Sequence, residues 1–182
     1  MTSAAAPTPI ERMAQRVRRF IHSVRPVLQS GGRSLAEEWL PADQLCLFLT
    51  QSRADQQHAI NVARLLLHSG YASRDLICAA LLHDVGKRAA IFTPWHRTAI
   101  VVLEACAPWA LRRLGRQRPA ARRGGGWLAP FAVHLTHAAE GASLALAAGA
   151  SERSAELIRR HHDRAAAGDE ELQMLIWADD RA

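Results

Sequence analysis

The sequence predicts an all-α fold. Apolar residues recur at helical spacing through nearly every segment, and no run of alternating β-branched residues is long enough for a sheet. Ser, Thr, Pro and Gly stand where helices would begin and end. The chain of 182 residues is long enough for one domain with a real core, and its 49% hydrophobic content excludes a disordered chain.

Ile10, Met13, Val17, Phe20, Ile21 and Val24 mark a first helix, with Pro9 in its first turn and Pro26 closing it. Ser34 and Glu37 form a capping-box pattern that opens a short helix, and another runs through Asp43–Leu49. Ser52 caps the next, which carries His58 and closes at Gly70. Ser73 caps a helix through Leu76, Ile77, Ala80 and Leu81 that stops at His83-Asp84 and breaks at Gly86. Thr93-Pro94 opens a helix that Pro108 kinks or splits and Gly115 ends. Residues 115–126, GRQRPAARRGGG, read as a basic loop. Pro130 begins a helix carrying His134 and His137, closed by Gly149; Ser151 caps one that ends in His161-His162; the last spans about 170–180. Residues 1–50 are expected as helices packing on a core formed by 51–182, within a single domain, with an apolar-then-basic insert at about 94–127.

No apolar run reaches the roughly 18–20 residues that cross a bilayer, and the start has no secretory pattern. Cys46, Cys78 and Cys106 are odd in number and set in apolar segments, which fits a cytoplasmic protein better than a disulfide framework. The net charge of +6 is unevenly placed: Arg112, Arg113, Arg116, Arg118, Arg122 and Arg123 cluster in a stretch without carboxylates. That patch is expected to attract an anion. A helical DNA-binding protein is disfavoured, because no recognition-helix pattern accompanies the basic loop.

The run AALLHDVGK raises the functional question, because an apolar helix ends on two side chains that are costly to bury without partners. Further ionisable residues fall on other helices: His58, His137, His161-His162 and Asp179. Helices in a bundle can bring such residues to one point. Imidazoles with carboxylates suit a transition metal, and a shared aspartate can bridge two ions. Two ions can bind both the attacking and the leaving oxygen in a displacement at phosphorus.

The ordered set His58, His83-Asp84, His137, His161-His162, Asp179 resembles the HD-domain superfamily of metal-dependent phosphohydrolases. HDVGK resembles that family's HD-[IV]-G-K form, HAAEGA its H-x-x-x-G-A segment, IRRHH its next histidine motif and WADD its A-D ending. The resemblance covers roughly residues 50–180. It implies a compact helical bundle with a central site, where His58, His83, Asp84 and Asp179 hold a first metal. His137, His161 and His162 would hold a second, with Asp84 bridging. One or two divalent transition-metal ions are implied, iron or manganese first, with cobalt, nickel or zinc also compatible. The implied activity is hydrolysis of a phosphoester or phosphoanhydride, chiefly of a nucleotide. Asp84 and the metals would position and deprotonate the attacking water.

The chain departs from the family pattern in several places. The interval from Asp84 to His137 is long, and the segment after His162 lacks the D-G-x-G-Y-P pattern of the cyclic-di-GMP subgroup. The chain is too short to hold the synthetase half of the alarmone enzymes. Asp179 lies near the end of the sequence, with Asp180 as a potential substitute. His134 competes with His137 one turn away on the same face, although the glycine four residues after His137 favours the latter. His22, His68 and His96 read as ordinary surface or packing residues.

Lys87 is expected at a substrate phosphate, with a solvated lysine as the plainer reading, and Arg112 and Arg113 are expected to gather an anionic substrate. The apolar residues Ile100, Val101, Val102, Leu103, Trp109 and Leu111 suggest a lid or a homodimer face in preference to peripheral contact with an anionic membrane. The alternative to an enzyme is a catalytically degenerate module of the same type that binds a nucleotide, nucleic acid or membrane through the insert.

Overall fold

Helix boundaries in the computed structural model follow the capping chemistry closely. It describes residues 32–116, 126–163 and 165–182. The helix expected over residues 10–24 and most of the 115–126 loop lie outside the described residues. Among the described residues every regular element is helical: α1 (Gly32–Trp39), α2 (Ala42–Leu49), α3 (Arg53–His68), α4 (Arg74–Leu82), a 3-10 turn (Val85–Ala89), α5 (Pro94–Cys106), α6 (Pro108–Arg116), α7 (Ala129–Ala147), α8 (Glu152–Arg160) and α9 (Glu170–Asp179). The Ser52 hydroxyl accepts from the Asp55 amide and opens α3, and Ser151 does the same for α8 through the Ser154 amide. Gly149, at φ +78°, ends α7 in a backbone conformation that only glycine adopts cheaply.

α4 is the axis of the fold. Every residue from Leu76 to Leu82 is buried, as expected of a helix that is apolar all round. α3, α8 and α9 pack around it, and α1 and α2 cover a further side. Ala36, Leu40, Leu47 and Phe48 join the same core as Leu157, Ile158 and Leu172, so residues 32–50 pack onto the main body. His83 and Asp84 therefore emerge at the C-terminal end of the most enclosed helix.

Two boundaries differ from expectation. α1 begins at Gly32, so Ser34 lies within its first turn and is not its cap. Gly86 does not break the chain into a loop, since Val85–Ala89 continues as a 3-10 turn packed against α7. Pro108 splits the insert into two helices, one of the two outcomes expected, but the insert's apolar residues do not form one face. Ile100 and Leu111 are buried with Phe131 in a small second core, whereas Val102 and Trp109 are exposed.

His96 holds that insert closed. Its Nδ1 accepts from the Thr93 amide at 3.3 Å, completing a reciprocal cap on α5. Its Nε2 is thereby the protonated nitrogen and donates to the Trp127 carbonyl at 3.0 Å, tying the start of the insert to its end.

Candidate metal centre

Five histidines and two aspartates meet where α3, α4, α7, α8 and α9 converge. Three of the histidines are oriented by one repeated device. His83 Nδ1 donates to the Ala80 carbonyl at 2.9 Å, His137 Nδ1 to the His134 carbonyl at 2.6 Å, and His161 Nδ1 to the Ile158 carbonyl at 2.6 Å. In each case the acceptor is three residues earlier on the same helix. A carbonyl only accepts, so Nδ1 carries the proton and, in the neutral ring, Nε2 presents its lone pair. Backbone partners of this kind orient the ring of a metal-binding histidine.

Those Nε2 atoms gather around Asp84. Its Oδ2 is 3.6 Å from His83 Nε2 and its Oδ1 is 3.4 Å from His137 Nε2. Asp179 Oδ1 lies 2.8 Å from His58 Nε2 and 3.6 Å from His83 Nε2. On the other side, His162 Nε2 is 3.2 Å from His137 Nε2. His58, His83 and Asp84 form one group whose donor atoms all lie within 4.8 Å of one another, and His137, His161 and His162 form another. Asp84 presents one oxygen toward each.

The donor set fits transition-metal ions. His83 Nε2, Asp84 Oδ1 and His161 Nε2 are buried and have no hydrogen-bond partner in the protein, an arrangement that costs free energy unless a cation or water meets it. Five imidazole nitrogens with two carboxylates suit iron, manganese, cobalt, nickel or zinc better than magnesium or calcium. The residues that would hold a first ion are His58, His83, Asp84 and Asp179; His137, His161 and His162 would hold a second, sharing Asp84.

Electrostatics favour the same state. The Lys87 ammonium, with His83 and His137, holds Asp84 well below the usual carboxylate range although burial opposes this. Bonds from His58 and His83 do the same for Asp179. Burial pushes His137 and His161 below the ordinary imidazole range, His161 to about 3, so both rings are neutral donors at pH 7. His162 is exposed as a residue, but loss of water around its ring, together with the neighbouring imidazoles, moves it the same way. His83 is the exception. Burial would lower it, but the charges of Asp84 and Asp179 outweigh burial and raise it to about 9. The His83 proton and the Lys87 ammonium together offset the charges of Asp84 and Asp179.

All seven residues expected as metal ligands come together. His137 points into the centre, whereas His134 stacks on its ring with centroids 5.5 Å apart and spends its Nε2 on Glu104 at 2.8 Å. Asp179 faces His58 and His83 from the last turn of α9. Lys87 does not extend toward solvent: its Nζ is 2.6 Å from Asp84 Oδ2. Arg112 and Arg113 are exposed on α6, and among the described residues neither is hydrogen-bonded or ion-paired to the centre. Of the histidines read as ordinary, His68 is exposed and bonds the Arg64 carbonyl, and His96 is the buried latch of the insert.

A strap across the centre was not foreseen. Arg97 of α5 pairs with Asp55 at 2.9 Å, one turn before His58 on α3. Glu104 of α5 pairs with His134, one turn before His137 on α7. Residues 97 and 104 lie two turns apart on one face of α5, so this helix reaches from the element of one ligand group to that of the other. The spacing of two opposite charges on an apolar helix was the available signal. The Asp84 approach has a further unforeseen support: a Cβ built on Gly86 would lie 2.1 Å from the His137 carbonyl oxygen, so only glycine lets the 3-10 turn press Asp84 toward His137.

Comparison with protein-family models, curated proteins and solved structures finds no match to this chain.

Proposed function

We propose that this protein is a metal-dependent phosphohydrolase of the HD type that cleaves a phosphoester or phosphoanhydride, with a nucleotide as its substrate class. The observation that carries the reading is Asp84 placed between two groups of histidines, one carboxylate oxygen toward each. The ordered motifs His58, His83-Asp84, His137, His161-His162 and Asp179 support it independently. When bound, two divalent ions supply Lewis acidity at phosphoryl oxygens and a water whose pKa falls toward neutrality.

The chain's own residues do the rest. Asp84, kept ionised by Lys87, fixes both ligand groups and orients the attacking water. His83, His137 and His161 turn Nε2 inward because their Nδ1 protons are committed to backbone carbonyls. His162 is exposed, and His58 and Lys87 are part-exposed, so substrate enters from their side. Lys87 acts first as the countercharge of Asp84. The three free cysteines agree with a cytoplasmic setting.

The decisive experiment is reconstitution with iron, manganese, cobalt, nickel or zinc, followed by a panel of mono-, di- and cyclic nucleotides and simple phosphoesters. Metal-dependent release of phosphate or a nucleoside monophosphate, abolished by His83→Ala, is expected. Loaded protein that binds a nucleotide at micromolar concentration but turns over nothing in the panel would establish the non-catalytic module instead.

A further inference from the structure

The insert exposes large apolar side chains to an extent that the rest of the described chain does not. Ile91 is 86% exposed, Trp95 81%, Trp127 70% and Trp109 67%, while Val102 is 47%. Beyond residues 91–127, only Leu49 and Leu135 are comparable among the described residues, at 41% and 42%. Leaving three indoles in water forgoes much of the burial free energy that aromatic side chains usually supply.

The exposed positions are organised. On α5, Trp95, Thr98, Val102, Ala105 and Cys106 are all exposed and share one helical face. That face carries no charge and lies nearly opposite the face from which Arg97 and Glu104 are pinned to Asp55 and His134. On α6 the exposed face holds Trp109 together with Arg112 and Arg113. From Val85 to Ala139 the sequence contains one carboxylate, Glu104, and that one is paired with His134. Apart from Glu104, the described exposed surface of the insert is therefore apolar and basic.

That chemistry discriminates between occupants. A second copy of the chain would bring the same arginines toward one another with no carboxylate on the insert to meet them except Glu104, which His134 already holds, since a two-fold interface must complement itself. An acidic lipid surface supplies what is missing: anionic headgroups for arginine and a boundary layer in which indole rings partition well.

We propose that the insert docks the protein on the surface of an anionic phospholipid bilayer, with Trp95, Val102 and Trp109 set into the headgroup boundary and Arg112 and Arg113 on the phosphates. The interaction is peripheral, since no described helix is long and apolar enough to cross a membrane. It does not depend on the reading of the metal centre.

The test is co-sedimentation of the full chain with phosphatidylcholine vesicles, with and without phosphatidylglycerol, across a salt series. Two variants, Trp95→Ser with Trp109→Ser and Arg112→Gln with Arg113→Gln, change only exposed positions; their melting curves check the fold. Binding is expected on the acidic vesicles alone, falling with salt, with the arginine variant weakened about 30-fold at low salt and the tryptophan variant at least tenfold. Three results would overturn the proposal: no binding of the wild type, an arginine effect without a tryptophan effect, or a wild-type dimer in sedimentation velocity that the tryptophan variant dissolves while neither binds vesicles.

Discussion

His162 Nε2 lies 3.2 Å from His137 Nε2, and the proton of His137 is already committed to the His134 carbonyl. With both rings neutral, this contact is a single hydrogen bond or two lone pairs directed at one cation. In the second case His162 serves only the group that contains His137 and His161, whereas Asp84 serves both groups. His162→Ala is therefore expected to lose about half of the bound metal, and Asp84→Asn most of it. Metal analysis of reconstituted, chelator-free protein checks this; equal stoichiometry in Asp84→Asn and wild type would remove Asp84 from the centre.

Metal binding is expected to release a proton. In the ion-free protein His83 titrates at about 9, raised by Asp84 and Asp179 against burial. Below that pH its Nε2 proton competes with the ion, so apparent affinity rises with pH by about tenfold per unit until about 9 and then levels. The linkage to stability runs in the other direction. His83 stabilises the ion-free fold fully below its unfolded value of 6.5, and that contribution is lost as pH rises through about 9. His161, lowered to about 3, makes the ion-free fold less stable as pH falls below 6.5. Calorimetric titration with zinc in buffers of different ionisation enthalpy measures the released proton, and an affinity independent of pH would contradict the assignment.

Much of this centre was legible because its ligands punctuate helices. His83 and His161 are C-caps, and the caps Ser52, Thr93 and Ser151 set the phase of the helices that carry or border the site. Helical phase alone could not separate His134 from His137, because they share a face; the glycine four residues after His137 favours it in the sequence, and the 3-10 turn packs against both that glycine and His137. Lys87 was read as reaching for substrate because sequence does not show that Asp84 is enclosed and needs a countercharge beside it. Gly86 was read as a breaker, since local pattern carries no trace of a backbone contact made with residue 137. The burial pattern of the insert escaped for a similar reason: Phe131, far along the chain, decides which of its apolar residues are buried.

Gly86→Ala is expected to be among the most damaging single substitutions. The added Cβ would meet backbone, 2.1 Å from the His137 carbonyl oxygen and 2.8 Å from its Cα, and neither can rotate away. Relief requires the 3-10 turn to move off α7, carrying Asp84 with it. A loss of about 1–3 kcal/mol or more in unfolding free energy follows, together with reduced metal content. Gly126→Ala is the control, since a Cβ there meets nothing within 4 Å. Denaturant melts of the two variants separate the outcomes; a fully stable, fully loaded Gly86→Ala protein would show that the close approach does not matter.

The strap offers a test of whether the insert governs access. Glu104–His134 is a part-exposed pair worth about 0–1 kcal/mol, and the buried Asp55 keeps the Ser52 hydroxyl as a partner when Arg97 is removed, so removing both pairs should shift the global melt only modestly. Their effect should be local, because together they hold one face of α5 between α3 and α7. Arg97→Ala with Glu104→Ala leaves Asp55 in place, so the amide bond that caps α3 is kept. Amide exchange in α5 is expected to accelerate at least tenfold while exchange in α4 stays unchanged. Metal content should also stay unchanged, since neither residue is a ligand. Under the proposed phosphohydrolase function, KM for a bulky nucleotide should change more than KM for a small aryl phosphate, because these pairs tie α5 one turn from His58 on α3 and one turn from His137 on α7. If α5 exchange in the double variant matches wild type, the second core around Ile100, Leu111 and Phe131 holds the helix without these pairs, and the strap does not control the opening.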